Sequence, residues 1–169
     1  TGIINNLIMN EKLESNNALI IDSIESMAML NKYAKDIMLE YNASSCVDIT
    51  GYGLIGHIYN IALNSEISCT LYTDSLPIIN NLERYIESNI SSGTKLNMEF
   101  ADSKIKNFKN LNNKEKIILS DAQTSGGLLF TVKKSDAKNV INDLISTNHQ
   151  QASIIGETSK LDNNEFIKF

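Results

Sequence analysis

Apolar residues along this chain recur at helical spacing in some segments and form short strand-like runs in others. The helical spacing predicts helices at 22–41, 53–64, from Pro77 onward, 114–119 and 135–147. The short runs predict strands at 45–49, 67–72, 128–133, 152–156 and 165–169. The segment 91–113 has a weak pattern and is predicted to be mainly loop, with at most one strand. Because helices and strands alternate, we predict a layered α/β domain.

The predicted helices at 22–41 and 53–64 have clear apolar faces. The first begins with Asp22 and Glu25 at capping-box spacing. Its apolar stripe consists of Ile24, Met27, Ala28, Ala34, Ile37, Met38 and Tyr41. The second helix is expected to turn Leu54, Ile58, Ile61 and Ala62 toward the core. His57 falls on its polar stripe, so we expect His57 to be exposed to solvent.

The composition is that of an ordinary globular protein, with 42% apolar residues, 21% charged residues and a net charge of −5. The acidic balance argues against nucleic acid as the main partner. No apolar run reaches the roughly 20 residues that a membrane span needs, so no membrane partner is expected. The two cysteines, Cys46 and Cys69, are too few for a disulfide framework. A reducing, cytoplasmic compartment is therefore expected.

The stretch 48–57, DITGYGLIGH, contains the spacing G-x-G-x-x-G at Gly51, Gly53 and Gly56. It follows a predicted strand and opens a predicted helix, and Asp74 lies about 18 residues after the last glycine. On these features the stretch matches a dinucleotide-binding fingerprint. A tight strand-to-helix turn with no ligand explains the same glycines.

Asp48 distinguishes between the ligands that such a loop can hold. A carboxylate three residues before the first glycine would repel a pyrophosphate resting on the N–H groups of the loop. A divalent cation between them removes the conflict, since Mg²⁺ is commonly bound by carboxylates together with substrate phosphates. Asp48 therefore favours a Mg²⁺–nucleotide over NAD. We expect Thr50 to add a hydroxyl contact and the N–H groups from Gly51 to Gly53 to hold a phosphate oxygen.

A second polar cluster, SDAQTSGGLL, lies at 120–129 between a predicted helix and a predicted strand. Its candidate site residues are Gln123, Thr124, Ser125, Gly126 and Gly127. Hydroxyl residues and paired glycines in this position form either an anion-accepting nest or a structural turn. The residues alone leave both interpretations open.

Together, DITGYGLIGH and DAQTSGGLL resemble the C-terminal half of the selenophosphate synthetase (selenide, water dikinase) family. The departures from the family pattern are Ile49, Tyr52, Ile55 and Ala122, which replaces a proline. Three shorter stretches also resemble family features: Thr1-Gly2-Ile3 a strand that joins the two halves, Ser92-Gly93-Thr94 a G-G-T loop, and Ile155-Gly156-Glu157 a closing I-G-E. The resemblance therefore runs over nearly the whole chain.

The resemblance implies that 1–169 is a single C-terminal domain of a longer enzyme whose N-terminal ATP-binding half lies outside this chain. The implied fold is of the aminoimidazole ribonucleotide synthetase type, with α/β/α layers, a mixed sheet and partial ferredoxin-like topology. Complete enzymes of the family make selenophosphate, AMP and phosphate from ATP, selenide and water. They use Mg²⁺ and form homodimers.

By the same resemblance, Asp48 matches a Mg²⁺ ligand, and Thr50 and Gly51, with Gly53, lie near the ATP phosphates. The segment 123–127 is expected to position or close the site. No catalytic residue is expected in this chain, because the nucleophile and its lysine belong to the family's N-terminal half, so the isolated chain should be inactive.

Neither cysteine is expected to be that nucleophile. Cys46 and Cys69 match no nucleophile motif and are expected to be small buried residues. The nearby Asp48 should raise the pKa of Cys46. Two other functions stay open: the C-terminal domain of another ATP-dependent enzyme of the same superfamily, and a Rossmann-type NAD-binding module.

Overall fold

The computed structural model describes residues 1–14, 17–87 and 89–169. Within these ranges the helices are α1 (Gly2–Met9), α2 (Ala18–Ala28), α3 (Lys32–Glu40), α4 (Gly53–Ser65), α5 (Ser92–Lys104), α6 (Asn113–Ser120) and α7 (Ala137–Ser146). The strands are β1 (Ser45–Asp48), β2 (Ile67–Leu71), β3 (Leu128–Thr131), β4 (Gly156–Lys160) and β5 (Ile167–Lys168). The predicted elements at 45–49, 53–64, 67–72, 114–119, 128–133 and 135–147 are confirmed to within a few residues.

The described strands form two sheets. β1 pairs with β3 in antiparallel orientation, with Asp48 opposite Leu128. In the other sheet β2 is central, with β4 antiparallel on one side and β5 parallel on the other. Helices packed on one antiparallel sheet and one mixed sheet confirm the predicted α/β class.

The central core lies between β2 and three helices, α4, α5 and α6. Its buried members are Ile55, Ile58, Ala62, Cys69, Leu71, Ala101, Ile105, Phe108, Leu119 and Ile167. Burying a large aliphatic side chain contributes about 1.5–3 kcal/mol, so this cluster holds the three helices in place. It places the start of α4 beside the end of α6, where the two polar motifs lie.

The first residues form helix α1, so the prediction of a strand at Thr1-Gly2-Ile3 was wrong. Ile3, Ile4 and Leu7 are fully buried against α2 and Ile117 of α6. A helix of 8 residues is too short to be stable alone in water. Tertiary packing therefore decides its conformation.

The predicted helix at 22–41 is two helices, α2 and α3, separated by residues 29–31. Met29 is extended, with φ −66° and ψ 124°, and Asn31 donates from Nδ2 to the carbonyl of Gly126 at 2.9 Å. The predicted capping box at Asp22 is also wrong, because α2 begins at Ala18 and its N-cap is Asn17, whose side chain accepts from the N–H of Leu19.

In α2 the predicted apolar stripe does not face the core, because this helix buries Leu19, Ile20 and Ser23 instead. Ile24 is 55% exposed, and Ala28 is also exposed. In α3, the predicted core positions Ala34 and Ile37 are buried against α7. The prediction was therefore right for the second half of the stripe and wrong for the first.

Helix α5 occupies much of the segment predicted to be loop. Ser91 caps it by accepting from the N–H of Thr94, and its buried residues are Thr94, Asn97 and Ala101. Because two of these three are polar, the helix has little apolar periodicity for a sequence pattern to reveal.

Two further differences concern a predicted helix and the start of a strand. The helix predicted from Pro77 onward was wrong: among the described residues between Pro77 and α5, the chain forms a short 3₁₀ turn at Leu82–Arg84, and Leu82 and Ile86 are buried. The strand predicted at 152–156 starts later, at Gly156, because β4 aligns with β2 from the pair Leu71–Gly156 onward.

Candidate functional site

The two polar motifs lie side by side. The N–H of Ile49 donates to the carbonyl of Gly127 at 3.0 Å, and the N–H of Gln123 donates to the carbonyl of Thr50 at 3.0 Å. The strands that adjoin the motifs, β1 and β3, pair directly. The glycine loop (residues 49–53) and the QTSGG loop (residues 123–127) therefore form one edge of the domain.

Asp48 ends β1 on its exposed face. Among the described residues its carboxylate takes part in no hydrogen bond or ion pair. No group of three His, Cys, Asp or Glu side chains among them is arranged to hold a metal ion. Asp48 therefore offers one free carboxylate, which suits a Mg²⁺ ion whose other ligands are phosphate oxygens or water.

Two glycines of the G-x-G-x-x-G spacing are required by the chain itself. Gly53 has φ +64°, and a β-carbon there would lie 2.8 Å from the carbonyl of Ser120. A β-carbon at Gly56 would lie 2.9 Å from the β-carbon of Tyr52. These glycines serve the strand-to-helix turn and its packing.

Neither Gly51 nor Gly127 is required by the backbone conformation or by packing within the chain. A β-carbon at either position meets no atom within 4 Å, both residues are exposed, and neither has a positive φ. By contrast, Gly126 packs its Cα against the carbonyl of Ile49. Close approach by a ligand would account for an open glycine in each of the two adjoining loops.

The N–H groups of the glycine loop are only partly available. The N–H of Gly53 donates to the carbonyl of Thr50 at 3.0 Å. The N–H groups of Gly51 and Tyr52 have no acceptor among the described residues. The donors left for a phosphate oxygen at this loop are therefore those of Gly51 and Tyr52.

His57 is buried, with 8% of its surface exposed, so the expectation of a solvent-facing side chain was wrong. Its Nε2 accepts from the N–H of Thr50 at 3.1 Å and lies 3.2 Å from the Thr50 hydroxyl. Because a backbone N–H only donates, Nε2 carries no proton in this arrangement. Burial lowers the pKa of His57 below its usual 6.5, and the charge of Asp48 offsets part of the shift.

The QTSGG loop is anchored by Asp121, a buried residue that the sequence did not single out. Its carboxylate accepts from the main-chain nitrogens of Thr1 and Gly2 at 3.1 and 3.0 Å. It also accepts from the hydroxyl of Thr94 at 3.0 Å and from Nε2 of Gln123 at 3.1 Å. A carboxylate at the N-terminus of α1 is also favoured by the helix dipole.

The polar atoms of the Gln123 side chain are used within the chain. Its Oε1 accepts from the nitrogen of Thr1 at 2.9 Å, and its Nε2 donates to Asp121. The side chains of Thr124 and Ser125 lie in exposed positions. The N–H of Thr124 donates to the Thr1 hydroxyl at 2.8 Å, so the loop is held mainly by its backbone and by Gln123.

The two cysteines lie in different surroundings. Cys69 is buried as expected, and its burial raises the pKa of its thiol to about 11. Cys46 is exposed, contrary to expectation, because it shares the outward face of β1 with Asp48. Desolvation and then the charge of Asp48 raise its pKa. Neither thiol has the lowered pKa of an activated nucleophile.

The lowered pKa of His57 predicts a pH-dependent stability. The unfolded chain takes up a proton near pH 6.5, whereas the folded chain does so only at lower pH. The contribution of His57 is therefore complete above about pH 6.5 and is lost as the pH falls toward the folded pKa, with a slope of at most about 1.4 kcal/mol per pH unit. Urea unfolding of the chain and of His57→Gln between pH 7.5 and 5 measures the difference.

In the same experiment, Asp48→Asn should extend the loss of stability to lower pH, because it removes the charge that offsets the shift. A difference between the wild-type chain and His57→Gln that stays constant over this range would contradict the burial of a neutral imidazole.

No helix in the described part of the chain is long and apolar enough to cross a membrane. The family model of the AIR synthase related protein, C-terminal domain, matches residues 4–168. The selenide, water dikinase of Aliarcobacter butzleri is 40% identical over 157 residues, which cover 92% of this chain and 45% of that protein. The selenide, water dikinase of Clostridium botulinum is 34% identical over 157 residues, with the same coverage.

A third relative, the selenide, water dikinase of Campylobacter jejuni, is 32% identical over 168 residues, which cover 99% of this chain and 47% of that protein. The chain thus spans somewhat less than half the length of these relatives. It belongs to the family of AIR synthase related C-terminal domains, in the form found in selenophosphate synthetase (selenide, water dikinase).

Proposed function

We propose that the chain serves as the C-terminal domain of an enzyme that makes selenophosphate, AMP and phosphate from ATP, selenide and water. Its part is to hold the Mg²⁺-bound phosphates of ATP. The observation that carries this proposal is the exposed carboxylate of Asp48, which makes no hydrogen bond or ion pair among the described residues. Asp48 ends the strand that leads to the open Gly51, and it pairs with Leu128, which follows the open Gly127. The similarity to selenide, water dikinases supports the choice of reaction.

Asp48 and four residues of the glycine loop have distinct roles in this proposal. Asp48 is a ligand of Mg²⁺, and the N–H groups of Gly51 and Tyr52 donate to a phosphate oxygen. A Mg²⁺ ion held there would neutralise phosphate charge. Thr50 has an indirect role: it holds the loop in place, because its N–H and hydroxyl contact Nε2 of His57. Gly53 permits the turn that exposes these donors.

We further propose that the rest of the enzyme supplies what this chain lacks. The relatives are about twice as long as the matched region, so an N-terminal domain has room for the nucleophile, the remaining metal ligands and the other side of the ATP site. The complete protein is proposed to be a cytoplasmic homodimer. The QTSGG loop is proposed to support the site through its backbone.

One alternative is another ATP-dependent enzyme of the same superfamily, with a different phosphoryl acceptor, because the family model covers AIR synthase related proteins. The Rossmann-type alternative has less support. A dinucleotide-binding βαβ unit pairs its two strands in parallel, whereas β1 and β2, which flank α4, belong to different sheets.

The proposed reaction can be tested with the complete enzyme by phosphorus NMR. With ATP, Mg²⁺ and selenide it should form selenophosphate and AMP, and the 169-residue chain alone should form neither. Phosphoryl transfer that does not depend on selenide would favour the superfamily alternative. Binding of NAD by the chain without a divalent ion would favour the Rossmann alternative. AMP formation by the chain alone would contradict the division of roles.

Asp48→Asn in the complete enzyme removes a charge while keeping the shape of the side chain. We expect kcat/KM for ATP to fall by at least about tenfold, since even indirect partners of metal sites cost 10- to 100-fold. Part of the loss should be recovered at high Mg²⁺. Asp102→Asn, which changes an exposed carboxylate on α5, is the control. A Mg²⁺ titration identical to that of the wild type would remove Asp48 from the metal site.

Gly51→Ala separates ligand binding from turn formation. The added methyl group meets nothing in the chain, so the free energy of unfolding should stay equal or rise by up to about 1 kcal/mol. The KM for Mg²⁺–ATP should rise about tenfold or more, because the methyl group lies where the phosphates approach.

The comparison variants for Gly51→Ala are Gly53→Ala and Gly93→Ala. Gly53→Ala should lower the free energy of unfolding by about 1–3 kcal/mol, because it forces a side chain into a positive φ. Gly93→Ala adds a methyl group that makes only ordinary contacts and should leave the KM for ATP unchanged. Unchanged ATP kinetics in Gly51→Ala would show that the loop is only a turn.

A further inference from the structure

Asn97 joins the glycine loop to the end of helix α6. Its Nδ2 donates to the carbonyl of Gly51 at 2.9 Å and to the carbonyl of Ser120 at 2.9 Å. The side chain is 9% exposed. Both partners are carbonyl oxygens, which only accept, so the NH₂ group of Asn97 must face them.

Each of these bonds has a separate effect. Ser120 is the last residue of α6, where carbonyls lack partners within the helix, and Asn97 supplies a donor there. The carbonyl of Ser120 also lies close to Gly53. Asn97 therefore holds the glycine loop at one point while that loop packs against α6 at another.

The bond to Gly51 also sets the direction of an N–H group. The carbonyl of Gly51 and the N–H of Tyr52 belong to one planar trans peptide, in which the two groups point in opposite directions. Because the carbonyl is directed at the buried Asn97, the N–H of Tyr52 points to the opposite side. This N–H has no acceptor among the described residues.

The peptide between Thr50 and Gly51 is also held through its carbonyl oxygen. The carbonyl of Thr50 accepts from the N–H of Gln123 and from the N–H of Gly53, so the N–H of Gly51 points away from both. Fixed donors cost no reordering when a ligand binds. We infer that Asn97 is a positioning residue, which orients the N–H of Tyr52 toward a phosphate oxygen of Mg²⁺–ATP. This inference rests on the proposed function.

Asn97→Ala in the complete enzyme is the first test. It should raise the KM for ATP about tenfold, the value expected for loss of one hydrogen bond to a charged group, and leave the KM for selenide unchanged. Asn97→Ser keeps one hydroxyl donor and should recover part of the affinity. It also serves as the second variant if Asn97→Ala does not fold.

Ser68→Ala is the matched control. Ser68 is fully buried, and its hydroxyl donates to the carbonyl of Glu165 at 2.7 Å and accepts from the N–H of Asp162 at 3.2 Å. Ser68 therefore also links separate segments of the chain, but it does so at the start of β2 and not in the two loops. Ser68→Ala should lower the free energy of unfolding without changing the KM for ATP.

The outcomes separate this inference from the function on which it rests. If the wild-type enzyme uses ATP and Gly51→Ala weakens it, but both Asn97 variants keep the wild-type KM, the positioning role is overturned and the proposed function stands. If Ser68→Ala raises the KM as much as Asn97→Ala does, the effect is one of general stability and the role is also overturned. If the wild-type enzyme makes no AMP from ATP and selenide, both proposals fail.

Discussion

The candidate site depends on the close approach of the Ser120 carbonyl to the Cα of Gly53. This contact lets the end of α6 lie directly beside the turn that starts α4. The QTSGG loop begins a few residues after Ser120, so the same contact brings it against the glycine loop. A side chain at position 53 would force the end of α6 or the turn to shift, because its β-carbon would lie 2.8 Å from the carbonyl of Ser120.

Around this contact, the domain uses buried polar groups where apolar packing would be usual. Asp121, Thr94 and Asn97 are all buried, and each makes hydrogen bonds to backbone or side-chain groups from other elements. A buried polar group without partners would cost about 1–3 kcal/mol. Because their partners are in place, these residues fix the two loops in one arrangement.

The glycines show how the loop combines structural and ligand-related demands. Gly53 and Gly56 are explained by backbone conformation and packing, so much of the G-x-G-x-x-G spacing follows from the turn itself. Gly51 and Gly127 have open space beside them, and Asp48 at the end of β1 has a free carboxylate. Under the proposed function, this carboxylate makes the loop suited to Mg²⁺-bound phosphates, because the cation removes the repulsion that bare pyrophosphate would meet.

The sequence by itself determined the elements with strong apolar patterns, such as β1, α4, β3 and α7, and the two motifs with their family resemblance. Tertiary structure alone decided α5, the break between α2 and α3, the burial of His57 and the contact between the motifs. Apolar periodicity reports only which apolar side chains of one element face a core. Asn31, Asn97 and Asp121 are placed by hydrogen bonds to groups far away in the sequence, and no local pattern encodes those partners.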